Sequence, residues 1–177
     1  MKNKVILAVI LSLFFVAGPV LAQGQEKKID LPQLTPDQKI SRLAWFQTNS
    51  AVFVISFAKA HGMTAEDLGK HMIDMWAGGW DTNKGSPVRV IQAVYRNLAL
   101  DPTFKMEILS ASETEVKGKM TVNGKGNFSA GMYYGVSFAE YMRVNELWME
   151  GLASYLGLVW KSEYDGEWSS FTLSVKK

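Results

Sequence analysis

Residues 136–175, VSFAEYMRVNELWMEGLASYLGLVWKSEYDGEWSSFTLSV, decide the fold. Ser137-Phe138-Ala139-Glu140 has the S-x-x-E form of a capping box, in which the Ser oxygen accepts from a first-turn amide and the Glu reaches back to the Ser amide. Apolar residues then recur at Tyr141, Val144, Trp148, Leu152 and Tyr155, one stripe of a 3.6-residue period. Arg143, Glu146 and Glu150 fall on another side. Gly157 suits the left-handed position that commonly ends a helix, so the pattern predicts a helix over 138–156. Asp165-Gly166, the dipeptide favoured in two-residue hairpin turns, joins runs over 158–164 and 167–175. The second run alternates Phe171, Leu173 and Val175 with Ser170, Thr172 and Ser174, a strand with one buried and one wet face. A lone hairpin is marginal in water, so this one needs further strands or a helix to pack on.

Working outward, the chain of 177 residues suits one domain. Its first 22 residues read as a secretory signal peptide: Lys2 and Lys4, an apolar run over 5–16, then small or apolar residues before a cut after Ala22. The run is too short to be a spanning helix. Lys2 and Lys4 supply the whole excess of 19 basic over 17 acidic side chains. The remainder is balanced, with no basic field to argue for nucleic acid or an anionic membrane. There is no cysteine, so an exported chain must rely on its own core. Residues 23–34 read as a flexible leader and 35–177 as a single domain. Location outside the cytoplasm, in a periplasm, is the expectation.

Thr35-Pro36-Asp37-Gln38 gives a second capping box with Pro at the first helical position. The helix it opens is expected over 36–60. Its second half, 51–58, is apolar nearly all round, which predicts central burial. His61-Gly62 ends it, with His61 as a cap favoured by the helix dipole. A helix over 65–77 follows, with Leu68, Met72, Met75 and Trp76 inward, and a third over 87–99, opened by Ser86-Pro87 and stopped by Asp101-Pro102. Strands are expected over 104–108 and 114–122. The resulting class is α+β: N-terminal helices followed by ββ-α-ββ, with a four-stranded antiparallel sheet packed by helices on one face.

The chemistry-bearing residues are few. Asp67, His71 and Asp74 stand at i, i+4 and i+7, and carboxylates with imidazole are a donor set for a transition metal. The apolar stripe of that helix runs elsewhere, so the three also make an ordinary solvated side; no metal or cofactor is expected. No nucleophile motif, phosphate loop or dinucleotide fingerprint occurs. A Gly- and Tyr-rich segment, 131–135, feeds the helix that starts at Ser137, and a helix N-terminus suits a carboxylate or phosphate. Glu140 shares a helical row with Val144, Leu147 and Gly151. It is either the capping-box residue alone or a partly buried carboxyl with a raised pKa, fit for acid/base work. Trp80, Tyr133, Tyr134, Ser137, Glu140, Tyr141, Asn145 and Trp148 are the candidate ligand contacts.

Leu43-Ala44-Trp45-Phe46 through Phe57-Ala58-Lys59-Ala60-His61-Gly62-Met63, a helix ending near Trp76, and then ββ-α-ββ resemble the L-2-amino-thiazoline-4-carboxylic acid hydrolase-like family. That family is itself similar in shape to four-vinyl-reductase and haem-nitric-oxide-binding domains. The resemblance implies a pocket between helices and sheet. Its members often carry cysteines near the C-terminal helix and last strand; this chain has none, so no named catalytic residue is carried over. Three functions follow. The first is an exported small-molecule-binding protein with its pocket between the sheet and the Ser137 helix. The second is a hydrolase of a cyclic amidine or amide with Glu140 as acid/base. The third is an envelope interaction module without enzymatic activity, for which a second copy, forming a homodimer, is one partner.

Overall fold

Three capping boxes set three of the four helices in the computed structural model, which describes residues 32–176. The stretch read as a signal peptide, and most of that read as a leader, lie outside the described residues. Helix α1, Pro36–Ala60, starts where the Thr35 side chain accepts from the Gln38 amide and the Gln38 side chain accepts from the Thr35 amide. Helix α2, Ala65–Trp76, repeats the device with Thr64 and Asp67. A 3-10 segment, Ala77–Asn83, follows. Helix α3, Pro87–Leu98, is opened by Ser86 and Pro87, and helix α4, Phe138–Tyr155, by Ser137 and Glu140.

The strands are β1 Met106–Ala111, β2 Glu115–Thr121, β5 Leu158–Tyr164 and β6 Trp168–Val175, antiparallel in the order β1-β2-β6-β5. The two hairpins thus join through β2 and β6. Between them a short 3-10 turn, Lys125–Phe128, leads into a two-residue pair, β3 Met132–Tyr133 with β4 Val136–Ser137. The Gly- and Tyr-rich segment before α4 is thus a small hairpin of its own. Its turn is made by Tyr134 and Gly135, both at positive φ (48° and 76°), the backbone a tight hairpin requires. Asp165-Gly166 works differently from expectation. Only Gly166 has positive φ, and the Asp165 carboxylate accepts from the amides of Glu167 and Trp168 at 2.8 and 2.7 Å. The side chain, rather than a pair of left-handed residues, closes this turn.

Register puts the apolar rows on one face. Val116, Leu173 and Trp160 lie opposite one another across β2, β6 and β5, and Gly118, Phe171 and Ser162 form the next row. Gly118 has no alternative there: a Cβ would stand 2.7 Å from both the Glu107 carbonyl oxygen and the Phe171 ring. The other face carries Lys117, Lys161 and Glu163, all exposed. Under the inner face the core gathers Val90, Ile91 and Val94 of α3 with Met149, Leu152 and Ala153 of α4. A second core joins Val52, Ile55 and Ala58 of α1 to Leu68, Phe128, Val136, Tyr141 and Val144. Helices α2 and α4 approach closely because Gly69 and Gly151 are small; a Cβ on either would stand 2.8 Å from Leu147 or 2.6 Å from Ile73.

Two burial expectations fail. Met75 and Trp76 are exposed, and α2 turns Leu68, Gly69, Met72 and Ile73 inward instead. The second half of α1 is not centrally buried: only one side of it is covered, and Phe53 on the opposite side is 68% exposed.

Candidate functional site

The site expected at the start of α4 is occupied by its own residues. Ser137 Oγ accepts from the Glu140 amide at 3.2 Å, and Glu140 Oε2 accepts from the Ser137 amide and hydroxyl at 2.8 and 2.9 Å. The other carboxylate oxygen, Oε1, lies 2.7 Å from Lys59 Nζ. Lys59 also donates to the Gly135 carbonyl. Of the two readings offered for Glu140, the capping-box residue is the one the structure shows, and its pKa falls rather than rises. The Lys59 ammonium, with the Ser137 amide, draws it from 4.5 down to about 2. Tyr133 donates its hydroxyl to Asn49 Oδ1 at 2.7 Å, tying β3 to α1, while Tyr134 at the turn is exposed.

The metal candidates separate in the same way. Asp67 is spent on the α2 cap, where the Thr64 amide and hydroxyl hold its carboxyl below the usual range. His71 and Asp74 are exposed on α2. Among the described residues, no three His, Cys, Asp or Glu side chains are grouped so as to hold a metal ion.

Farther along α4 a cavity of about 450 Å³ opens between the helices and the inner face of the sheet. Trp76, Trp80, Trp148 and Trp160 line it together with Met72, Met120, Met142 and Met149. Gln47, Asn97 and Asn145, which are exposed, belong to its outer part. Val94, Tyr141, Met149, Trp160 and Ser169, which are buried, form its depth. The Trp76 and Trp148 rings meet edge to face at 6.0 Å, a favoured aromatic arrangement. Strand alternation brings Ser169 inward in register with Met120, and Ser162 in register with Phe171. Trp160 donates its indole N–H to Ser162 Oγ at 3.2 Å.

Polar chemistry in the cavity centres on Asn123, just after β2. Its amide nitrogen donates to the Leu98 carbonyl at 3.1 Å. A carbonyl can only accept, so that contact fixes which end of the amide is the nitrogen. The Tyr141 hydroxyl donates to the Asn123 main-chain oxygen at 3.2 Å. Burial raises the pKa of this phenol, and the Asn145 amide opposes the rise. The remaining acceptor, Asn123 Oδ1, is buried with no partner in the protein, a condition rare among native buried polar groups. The described lining contains one carboxylate, Glu146, and no Lys, Arg, His or Cys.

Of the eight residues named from the sequence as ligand contacts, the cavity gathers Trp80, Tyr141, Asn145 and Trp148. Tyr133, Tyr134, Ser137 and Glu140 do not line it. Reasoning from sequence missed Asn123, Trp160, Ser162 and Ser169 as site residues. Their only signal was the inward parity of the strands and the turn dipeptide Asn123-Gly124.

No protein-family model matches the chain, and no curated protein matches it. Among solved structures, the crystal structure of an Fe(II) unliganded H-NOX protein from K. algicida matches with TM-score 0.39 at 8% identity, covering 83% of this chain and 76% of that one. A point mutant of the same protein matches with TM-score 0.37 at 7% identity, covering 82% and 76%. None of these comparisons supports the expected likeness to the hydrolase-like family. At these scores the likeness carries no functional argument.

Proposed function

We propose that this domain binds a small, largely apolar molecule, uncharged or cationic, in the cavity between α3, α4 and the sheet. One observation carries the reading: a cavity of about 450 Å³ walled by four tryptophans and four methionines, with a few polar side chains, Asn97, Asn145, Ser162 and Ser169, among them. Volume and lining match what small-molecule sites require, mostly apolar walls and a few placed polar groups. The described lining offers no cationic side chain to hold an anion, and its one carboxylate, Glu146, lies 3.9 Å from the Arg143 guanidinium. Methionine and tryptophan favour polarizable, aromatic or alkylated ligands. The reading requires no catalysis. It includes export, on the strength of the N-terminal targeting pattern, and a periplasmic location.

The test is a titration with the neutral fluorescent probe N-phenyl-1-naphthylamine and its anionic counterpart 1-anilinonaphthalene-8-sulfonate. Saturable binding of the neutral probe is expected, with Ser169→Phe, which fills the depth of the cavity, abolishing it. Equal binding by the folded Ser169→Phe variant overturns the reading.

A further inference from the structure

We propose that the outer face of α1 is the contact surface of a homodimer, formed by a second copy packed antiparallel across Ser50.

Helix α1 has two apolar stripes, and the fold uses one. Ala44, Thr48, Val52, Ile55 and Ala58 are buried against the domain. Opposite them Leu43, Phe46, Ser50, Phe53 and Phe57 follow one another in alternating steps of three and four. This is the spacing of a seam between two packed helices. Phe46, Phe53 and Phe57 are each more than half exposed, and Val54 beside them is exposed too. The Phe53 and Phe57 rings stack at 6.4 Å, so the stripe is a continuous surface.

Area and symmetry name the occupant. A Phe side chain presents 150–250 Å², so three of them more than half bare, with Leu43 and Val54, leave roughly 500 Å² of apolar surface on one copy. That is about the largest patch an ordinary monomer shows. Two copies burying it against each other remove roughly 1,000 Å², the threshold for a specific interface. The stripe is symmetric about its one small member. Antiparallel pairing with Ser50 on the two-fold axis sets Leu43 against the partner's Phe57 and Phe46 against the partner's Phe53, and the small side chain permits close approach at the crossing. Residues 43–58 carry no charge that a second copy would repel. Lys39 and Arg42, exposed in the first two turns, then fall beside the carbonyl end of the partner helix, where cations are favoured.

The absence of cysteine makes the test clean. The purified protein is expected to sediment at twice its chain mass at micromolar concentration. Phe53→Glu, at a position 68% exposed, is expected to fold with unchanged secondary structure and to weaken dimerisation at least ten-fold. Ser50→Cys is expected to form a disulfide-linked dimer under mild oxidation. Leu43→Cys is not: seven residues either side of the axis at 1.5 Å each hold two such cysteines about 20 Å apart. Cross-linking at Leu43 as efficient as at Ser50 overturns the antiparallel arrangement. A protein that stays monomeric at about 100 μM and gives no Ser50→Cys dimer overturns the proposal, and co-sedimentation of that monomer with neutral phospholipid vesicles assigns the face to a lipid surface instead.

Discussion

The two halves of α4 carry similar residue types to opposite ends. At its start, Ser137, Glu140 and Lys59 hydrogen-bond one another until both carboxylate oxygens have partners. One turn on, Tyr141, Asn145, Trp148 and Met149 face open space, and their neighbour Asn123 keeps an acceptor without a donor. The first region is the more polar and the second has the greater capacity for a guest. Binding capacity follows unspent valence and unfilled volume, and polarity alone measures neither. A capping box is a closed circuit, whereas a buried lone acceptor is costly until something donates to it.

The contrast breaks most violently in the core behind the cavity. Leu152 is fully buried between α3, α4 and the sheet. Leu152→Ala is expected to cost about 3 kcal/mol, from lost transfer energy and the void left behind. Urea denaturation reads this as a lower midpoint at unchanged slope. A cost under about 1 kcal/mol shows that the cavity side relaxes freely and is no rigid site. Trp148 lies at the same level of the helix but only partly buried, with its ring on the cavity wall. Trp148→Ala is expected to weaken the neutral probe by about ten-fold, the 1.4 kcal/mol scale of one good aromatic contact. Tyr134→Ala, at the exposed turn, leaves the probe affinity unchanged. Equal losses from the two variants erase the distinction between the regions.

Much of this frame was readable in the sequence for local reasons. Thr35 and Ser137 each announce a helix through a residue three positions on, and both caps form. The runs over 158–164 and 167–175 become β5 and β6 nearly residue for residue. The site was only half legible. Tyr141 and Trp148 share one helical stripe with Asn145 close beside it, and all three line the cavity. Asn123, Trp160 and Ser169 were not legible, because strand parity says that a side chain points inward and not whether anything fills the space it meets. Glu140 takes the capping-box role that its spacing from Ser137 offered, but its ion pair was out of reach of the sequence: Lys59 stands 81 positions earlier in the chain, and only the fold brings the pair to 2.7 Å. The outer face of α1 shows the same limit. Apolarity signals that a surface prefers cover, and the identity of the cover is a tertiary or quaternary fact.

The start of α4 has its own, smaller signatures. Ser137→Ala removes the cap and is expected to cost about 1 kcal/mol, with probe affinity unchanged; a matching loss of binding would place the ligand at the helix terminus after all.

The smallest effect is the pH dependence of the Lys59–Glu140 pair. The folded-state pKa of Glu140 is about 2, below its ordinary 4.5. A carboxyl depressed by folding stabilises the protein above its unfolded pKa, and that stabilisation fades as pH falls from about 4.5 toward 2. Both side chains are more than a third exposed, 50% and 37%, so solvent screening holds the contribution to no more than about 1 kcal/mol. Denaturation of the wild type and of Glu140→Gln is expected to differ at pH 6 and to converge near pH 2. Lys59→Met is expected to narrow the difference, since the ammonium is the main cause of the depressed pKa. A gap between wild type and Glu140→Gln that persists at pH 2 means the carboxyl is held by geometry rather than by charge.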